Sequence, residues 1–238
     1  MKIGIVVPIL NNFQQALDFI TSVKSQEHEI KFYIQPQWRD RVCVSQAWNR
    51  GIQSAIDDGC KYVMVSNDDV LLAPHSIDRA VQSFEDANEN QVLLTFQEVN
   101  STFSNFLDIL NSGPDTEFTA DPIIPMPVEH RYLFSCFLVR NDFFEKCGTF
   151  DENFIPTWWE DVDMQYRIHL LGYDLCKTDV PIIHYGSVTT YQLPEGNPNT
   201  VISEIYYKQK WGSSTRLLKE LYSTPYDNKE LTPREWIK

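Results

Sequence analysis

No stretch of the 238-residue chain approaches the roughly 20 consecutive apolar residues that a membrane-spanning helix needs. The opening, MKIGIVVPIL, does not read as a signal peptide: its apolar run is short, rich in β-branched residues and meets Pro8, with no small-residue cleavage site behind it. Cysteine is sparse. The five residues (Cys43, Cys60, Cys136, Cys147, Cys176) are odd in number, widely spaced and form no CxxC pair, so no disulfide scaffold, zinc site or redox motif is signalled. Positive charge is scarce as well, with 20 Lys+Arg against 33 Asp+Glu and a formal net charge of −13. Such a chain repels a phosphate backbone and an anionic bilayer, so neither nucleic acid nor a membrane surface is expected as a main partner. These absences predict a soluble protein of a reducing compartment, the cytoplasm. What is present, 42% hydrophobic and 13% aromatic residues over this length, suits one domain with a sizeable core and excludes collagen-like and low-complexity chains.

The first half alternates strand and helix signals. Ile3 to Val7 is a short continuous apolar run, the pattern of a strand buried on both faces. Asn11 and Asn12 offer capping oxygens ahead of Phe13, Leu17, Ile20 and Val23, which fall at near-helical spacing. Ile30 to Ile34 reads as a second strand; a helical face from Val44 through Ile56 follows and is closed by Gly59. Tyr62 to Val65 predicts a third strand, Pro74 to about Asn90 a helix, and Val92 to Phe96 a fourth strand. This order predicts an α/β domain with a mostly parallel sheet and helices on both faces. Residues 97–128 hold Gly113-Pro114, Asp121-Pro122, Pro125 and Pro127 and read as a long irregular connection. Beyond it come a strand from Tyr132 to Val139, a short helix from Asn141 to Lys146, a helix from Glu160 to Leu171, and helical material from about Thr200.

Three clusters invite chemistry. Asn67, Asp68 and Asp69 follow the third strand, and ligands of open α/β sheets bind at the carboxyl ends of strands. Hard oxygen donors there suit Mg2+ or Mn2+; the same tripeptide is also good turn chemistry. Trp158-Trp159-Glu160-Asp161-Val162-Asp163 sets two tryptophans beside three carboxylates at a helix start. Acidic residues favour helix N-termini on their own account, whereas an aromatic pair flanking carboxylates is a surface for a sugar ring. His184, after the apolar run Val180 to Ile183, is either a structural histidine or a ligand.

Together these pieces resemble the nucleotide-sugar-dependent glycosyltransferases of the GT-A fold, specifically the inverting family 2. Val6-Val7-Pro8 with Asn11 is similar to that family's first strand and nucleotide loop, and Trp48-Asn49-Arg50-Gly51-Ile52 with Ala55 to its "N-x-G-I…A" helix. Asn67-Asp68-Asp69 occupies the place of its DXD motif. Phe150-Asp151-Glu152, Glu160-Asp161-Val162-Asp163, Arg167 and Gly172-Tyr173 follow its "G-x-F-D-E…E-D-x-D…R…G-Y" run, and His184-Tyr185-Gly186-Ser187 its "H-x-G-S". The resemblance covers about residues 3 to 190. It implies a catalytic domain over 1–198, with a donor half near 1–96 and an acceptor half near 129–198, followed by a helical tail over 199–238.

The resemblance also implies roles. Asp69 and His184, with Asn67, would hold Mn2+ or Mg2+, and Asp68 would support the metal or touch the ribose. Pro8, Asn11, Gln35, Trp38 and Asn49 would line the donor, a UDP-sugar by family frequency. Asp161 would be the general base that takes the proton of an acceptor hydroxyl, with Glu160 raising its proton affinity or holding the acceptor. Trp158, Trp159 and Asp163 would contact the acceptor, a glycan or another hydroxyl compound. Two departures stand out. The stretch after the second strand, Gln35-Pro36-Gln37-Trp38-Arg39-Asp40, lacks the acidic residue usual just after that strand, and the first DXD carboxylate is an amide, Asn67. The rival readings are a catalytically degenerate sugar-nucleotide or glycan-binding protein of the same fold, a nucleotidyltransferase and a purely structural α/β module. The nucleotidyltransferase is disfavoured because Ile9-Leu10-Asn11-Asn12 has neither glycine nor a base, and the structural module by the clustering of acidic and aromatic residues at strand ends.

Overall fold

A computed structural model describes residues 1–37, 42–98, 124–125, 134–185 and 200–211. The elements run β1 (Lys2–Ile9), α1 (Phe13–Ser22), β2 (Glu29–Pro36), α2 (Val44–Asp57), β3 (Tyr62–Ser66), β4 (Val70–Leu72), α3 (Ser76–Glu85), β5 (Gln91–Glu98), β6 (Ile124–Pro125), β7 (Cys136–Arg140), α4 (Phe143–Cys147), α5 (Glu160–Leu170), β8 (Asp174–His184) and α6 (Thr200–Trp211). The strands form one sheet in the order β2-β1-β3-β7-β5-β8-β4, with β6 beside β8. β2, β1, β3, β5 and β8 run the same way, and β7, β4 and β6 run against them. The mainly parallel sheet expected from the βα alternation is therefore present, with a reversed strand, β7, wedged between β3 and β5.

Strand periodicity splits the core in two. Ile3, Ile5 and Val7 of β1 point to one face, where Phe19 of α1 and Phe84 of α3 cover them. Val6 of β1 and Val63 and Val65 of β3 point to the other, under Trp48 and Ile52 of α2 and Met164 of α5. α2 lies close to β1 because Gly51 has no side chain: a Cβ there would stand 2.2 Å from Cγ1 of Val6. Asn12 caps α1, its side chain accepting from the Gln15 amide at 3.2 Å.

Three elements differ from the sequence reading. α3 starts at Ser76 and stops at Glu85, well short of Asn90. Arg140 reaches the end of the helix from outside, donating to the carbonyl of Phe84 in its last turn at 2.7 Å and to that of Ala87 just beyond it at 3.3 Å. β4 has no strand signal of its own; it is three residues long and exists because Val70 to Leu72 pair antiparallel with His184 to Ile182. β8 extends back to Asp174, because β5 on one side and β6 on the other hold a segment whose polar residues mask the strand pattern. Of the 97–128 connection, Gln97 and Glu98 belong to β5 and Ile124–Pro125 form β6; the rest lies outside the described residues. Among the described residues no helix is long and apolar enough to cross a membrane.

Candidate active site

All five co-directional strands end on one edge of the sheet, at Ile9, Pro36, Ser66, Glu98 and His184. The candidate site is built there, as expected for an open α/β sheet. Its first corner is the turn after β3. Asn67 donates its backbone N–H to the Ser135 carbonyl at 2.7 Å, and the Asp69 carbonyl accepts from the Tyr185 amide at 3.0 Å. The turn is thus stapled between the start of β7 and the end of β8. Asp68 and Asp69 are buried, whereas Asn67 is half-buried.

The β4–β8 pairing brings His184 to Asp69. His184 Nε2 lies 3.3 Å from Asp69 Oδ1, and its Nδ1 lies 3.3 Å from Glu98 Oε1 at the end of β5. Ser135 donates its hydroxyl to the same Glu98 oxygen. Burial disfavours a charge on this imidazole, but the hydrogen bonds to Asp69 and Glu98 outweigh it and raise the His184 pKa to about 9. Burial likewise opposes ionisation of Glu98, and the bonds from His184 and Ser135 reverse the effect, lowering its pKa. The sequence reading misses Glu98 and Ser135. The signal available is position alone: Glu98 stands at a strand's carboxyl end, like Asp69 and His184.

Among the described residues no group of three or more His, Cys, Asp or Glu side chains is arranged to hold a metal by itself. The pair present nevertheless fits one. Mg2+ and cations like it are held by one or two protein ligands and completed by substrate phosphates. An imidazole whose second nitrogen is fixed by a carboxylate is the usual form of a metal-ligating histidine. Asp69 and His184 would be the ligands, with Glu98 setting the imidazole's orientation.

The second side of the site is the segment from Phe150 to Asp163. Asn49, in α2, donates Nδ2 to the Phe150 carbonyl at 2.8 Å and to Glu152 at 3.0 Å, and its Oδ1 accepts from the Phe150 amide at 2.8 Å. Asn49, expected to line the donor, is buried and joins α2 to the 150–152 turn. Val44 donates its N–H to the Pro156 carbonyl at 3.2 Å, so the segment passes over the start of α2 and along the same edge of the sheet. Trp158 and Trp159 are both left-handed, with φ of 76° and 74°, immediately before α5. Successive non-glycine residues in that region are uncommon and persist where packing over-determines them.

Glu160 is buried and Asp161 half-buried in the first turn of α5. Thr157 Oγ1 lies 3.4 Å from Glu160 Oε1, and the Asp161 carboxylate accepts from the Val162 amide at 2.8 Å. Trp159 is only 8% exposed and packs on Tyr207 with ring centroids 5.0 Å apart, so of the two tryptophans it is Trp158 that retains exposed surface. Asp163 is the residue of this segment expected to contact the acceptor. It is fully buried, accepting from Trp211 Nε1 and Lys210 Nζ on one oxygen and from Arg167 Nε on the other, so it braces the segment from beneath. On the donor side, Pro8 and Gln35 are register partners at the ends of β1 and β2, and Asn11 is exposed in the turn after β1. Trp38 lies outside the described residues.

No protein-family model matches the sequence, and no curated protein does. Solved structures do. GalNAc-T7, determined with UDP, GalNAc and Mn2+, superposes with a TM-score of 0.57 at 12% identity, covering 92% of this chain and 56% of that one. TarS residues 1–349 of S. aureus gives 0.51 at 11% identity, with 94% and 76% covered. A mutant of the Drosophila β1,4-galactosyltransferase 7, determined with manganese, UDP-Gal and xylobiose, gives 0.49 at 17% identity, with 94% and 79% covered. At these identities the likeness establishes architecture. The strand order and the superposition on solved glycosyltransferases together give this chain the GT-A glycosyltransferase fold.

Proposed function

We propose that the protein is a metal-dependent, inverting glycosyltransferase that moves a sugar from a nucleoside-diphosphate donor, a UDP-sugar, to an acceptor hydroxyl. The observation that carries this reading is the Asp69–His184–Glu98 arrangement at the carboxyl edge of the sheet, where a fold of this type places a diphosphate. The UDP and Mn2+ present with GalNAc-T7 support the choice of base and cation. When bound, the metal neutralises charge that builds on the departing diphosphate.

The chain's own residues supply the rest. Asp69 and His184 would hold the cation that neutralises the diphosphate, with Asn67 and Asp68 beside them, while Pro8, Asn11 and Gln35 line the approach from β1 and β2. Asp161, half-buried at the start of α5, takes the proton of the attacking hydroxyl. The acceptor oxygen bonds to the anomeric carbon as the bond to the diphosphate breaks on the opposite face, so configuration inverts. Glu160 and Trp158 orient the acceptor.

Titration with UDP, GDP, dTDP, ADP and CDP, each with and without Mn2+, tests the donor half. One diphosphate is expected to raise stability only with Mn2+, by about 2.7 kcal/mol at a hundredfold excess over Kd. Asp161→Asn tests the acceptor half: transfer is expected to fall by about 10²- to 10⁴-fold with UDP binding kept. A stabilising diphosphate without transfer by the wild type would favour the degenerate binding protein. No stabilisation by any of the five would refute the donor site.

A further inference from the structure

The sequence reading treats residues from 199 onward as a tail beyond the catalytic domain, yet the contacts of α6 fall on the segment that carries Glu160 and Asp161. Ser203 donates its hydroxyl to the Thr157 carbonyl at 2.9 Å. Tyr207, fully buried, packs on Trp159. Tyr206 donates its hydroxyl to Asp151 at 2.9 Å, and Trp211 Nε1 donates to Asp163 at 2.8 Å. Lys210 is the keystone. Its ammonium lies 2.7 Å from both Asp151 Oδ2 and Asp163 Oδ1, and its side chain is only 4% exposed.

We propose that α6 is an integral part of the acceptor side, and that Lys210 is a positioning residue for the acidic pair Glu160–Asp161. Asp151 opens the segment and Asp163 closes it. One buried cation bridging both fixes the span between them, including the left-handed turn at Trp158–Trp159 from which α5 starts. That turn is strained, and such backbone survives only where its surroundings hold it. Ser203 on the carbonyl of Thr157 and Tyr207 on the ring of Trp159 hold it from α6. Without the ammonium, two carboxylates share a buried space with Arg167 as the remaining balancing cation in the described network, and the segment must open to water. Donor binding does not depend on this latch, because Asp69 and His184 are tied to β3, β4 and β8, away from α6.

The inference rests on reading Glu160–Asp161 as the acceptor side, so the test separates the two. Amide hydrogen exchange is compared in the wild type, Lys210→Met, Lys210→Arg and Tyr206→Phe. Residues 151–163 are expected to exchange at least about tenfold faster in Lys210→Met, with β1, β3 and β8 unchanged, and Lys210→Arg is expected to recover most of the protection. Tyr206→Phe removes one hydroxyl without disturbing charge; a smaller effect confined to the same residues is expected, and it decides the matter if Lys210→Met does not fold. Affinity for UDP with Mn2+ is expected to stay within about twofold of wild type. UDP release from UDP-glucose, UDP-galactose and UDP-N-acetylglucosamine is expected to drop about tenfold or more in kcat with donor KM unchanged. Unchanged exchange in 151–163, or loosening spread through the whole sheet with loss of UDP affinity, overturns the proposal. A wild type that binds UDP and Mn2+ but releases no UDP refutes the enzyme reading instead, and the exchange result then decides the latch by itself.

Discussion

At the corner after β3, the His184 imidazole lies 3.3 Å from Asp69 on one side and 3.3 Å from Glu98 on the other and is still 19% exposed, whereas beneath the 150–163 segment Asp163 is wholly buried between Arg167, Lys210 and Trp211. Both clusters pair carboxylates with cationic partners, yet they do different things. In the first, one face of the cluster remains open and the cationic partner is an imidazole, which can give up its proton and become a metal ligand. In the second, permanent cations neutralise the carboxylates and bury with them, and the cluster ties α5 and α6 to the segment that opens at Asp151. Acidic residues brought together are therefore not by themselves a site; what matters is whether a partner can leave.

The largest effect that would break this contrast is at Asp163. Asp163→Ala leaves Arg167 and Lys210 buried without their shared partner and is expected to cost about 3–5 kcal/mol of stability in a denaturant titration, while UDP and Mn2+ still bind the folded fraction. Next is Glu98→Gln, which keeps the size of the side chain but loosens its hold on His184. Affinity for Mn2+ in the presence of UDP is expected to fall about 10- to 100-fold by calorimetry, with little change in unfolding midpoint. A reversed outcome, stability lost and metal affinity kept, would make Glu98 a structural residue like Asp163. Asn49→Ala tests the seam between the two regions; losing its bonds to Phe150 is expected to cost about 1–3 kcal/mol and to loosen residues 150–152 before the ligand corner.

The smallest effect is in pH dependence, where the two regions should respond at opposite ends. His184 titrates at about 9 in the folded protein, above its ordinary value. Its contribution is therefore complete below about pH 6.5 and is lost in the metal-free protein as pH rises through about 9. Asp151 is the reverse case: burial opposes its ionisation, but the Lys210 ammonium and the bonds from Asn153 and Tyr206 hold its pKa below the usual carboxylate range. That contribution is complete above about pH 4 and is lost as pH falls through the lowered native value. Melting curves of the metal-free protein should show the alkaline limb flattened in His184→Asn and the acid limb flattened in Asp151→Asn.

Much of this is legible along the chain, because some signals are local. Apolar runs place β1, β2 and β3, helical spacing places α1 and α2, and the acidic residues after β3 and in the first turn of α5 mark the two sides of the candidate site. Local pattern is ambiguous where one residue type serves two purposes. Asn49 and Asp163 carry the chemistry of ligand-binding groups, but burial against Phe150 and against α6 turns both into braces. Glu98, Ser135 and Lys210 carry no local mark, since each acquires its role from a partner dozens of residues away. The sequence by itself determined an α/β domain with carboxylates at its strand ends, because apolar runs and the acidic residues that follow them are local signals. Only the tertiary structure decided which carboxylates stay available: antiparallel pairing of β4 with β8 brings His184 to Asp69, and docking of α6 neutralises Asp151 and Asp163, and neither contact can be read from neighbours in the chain.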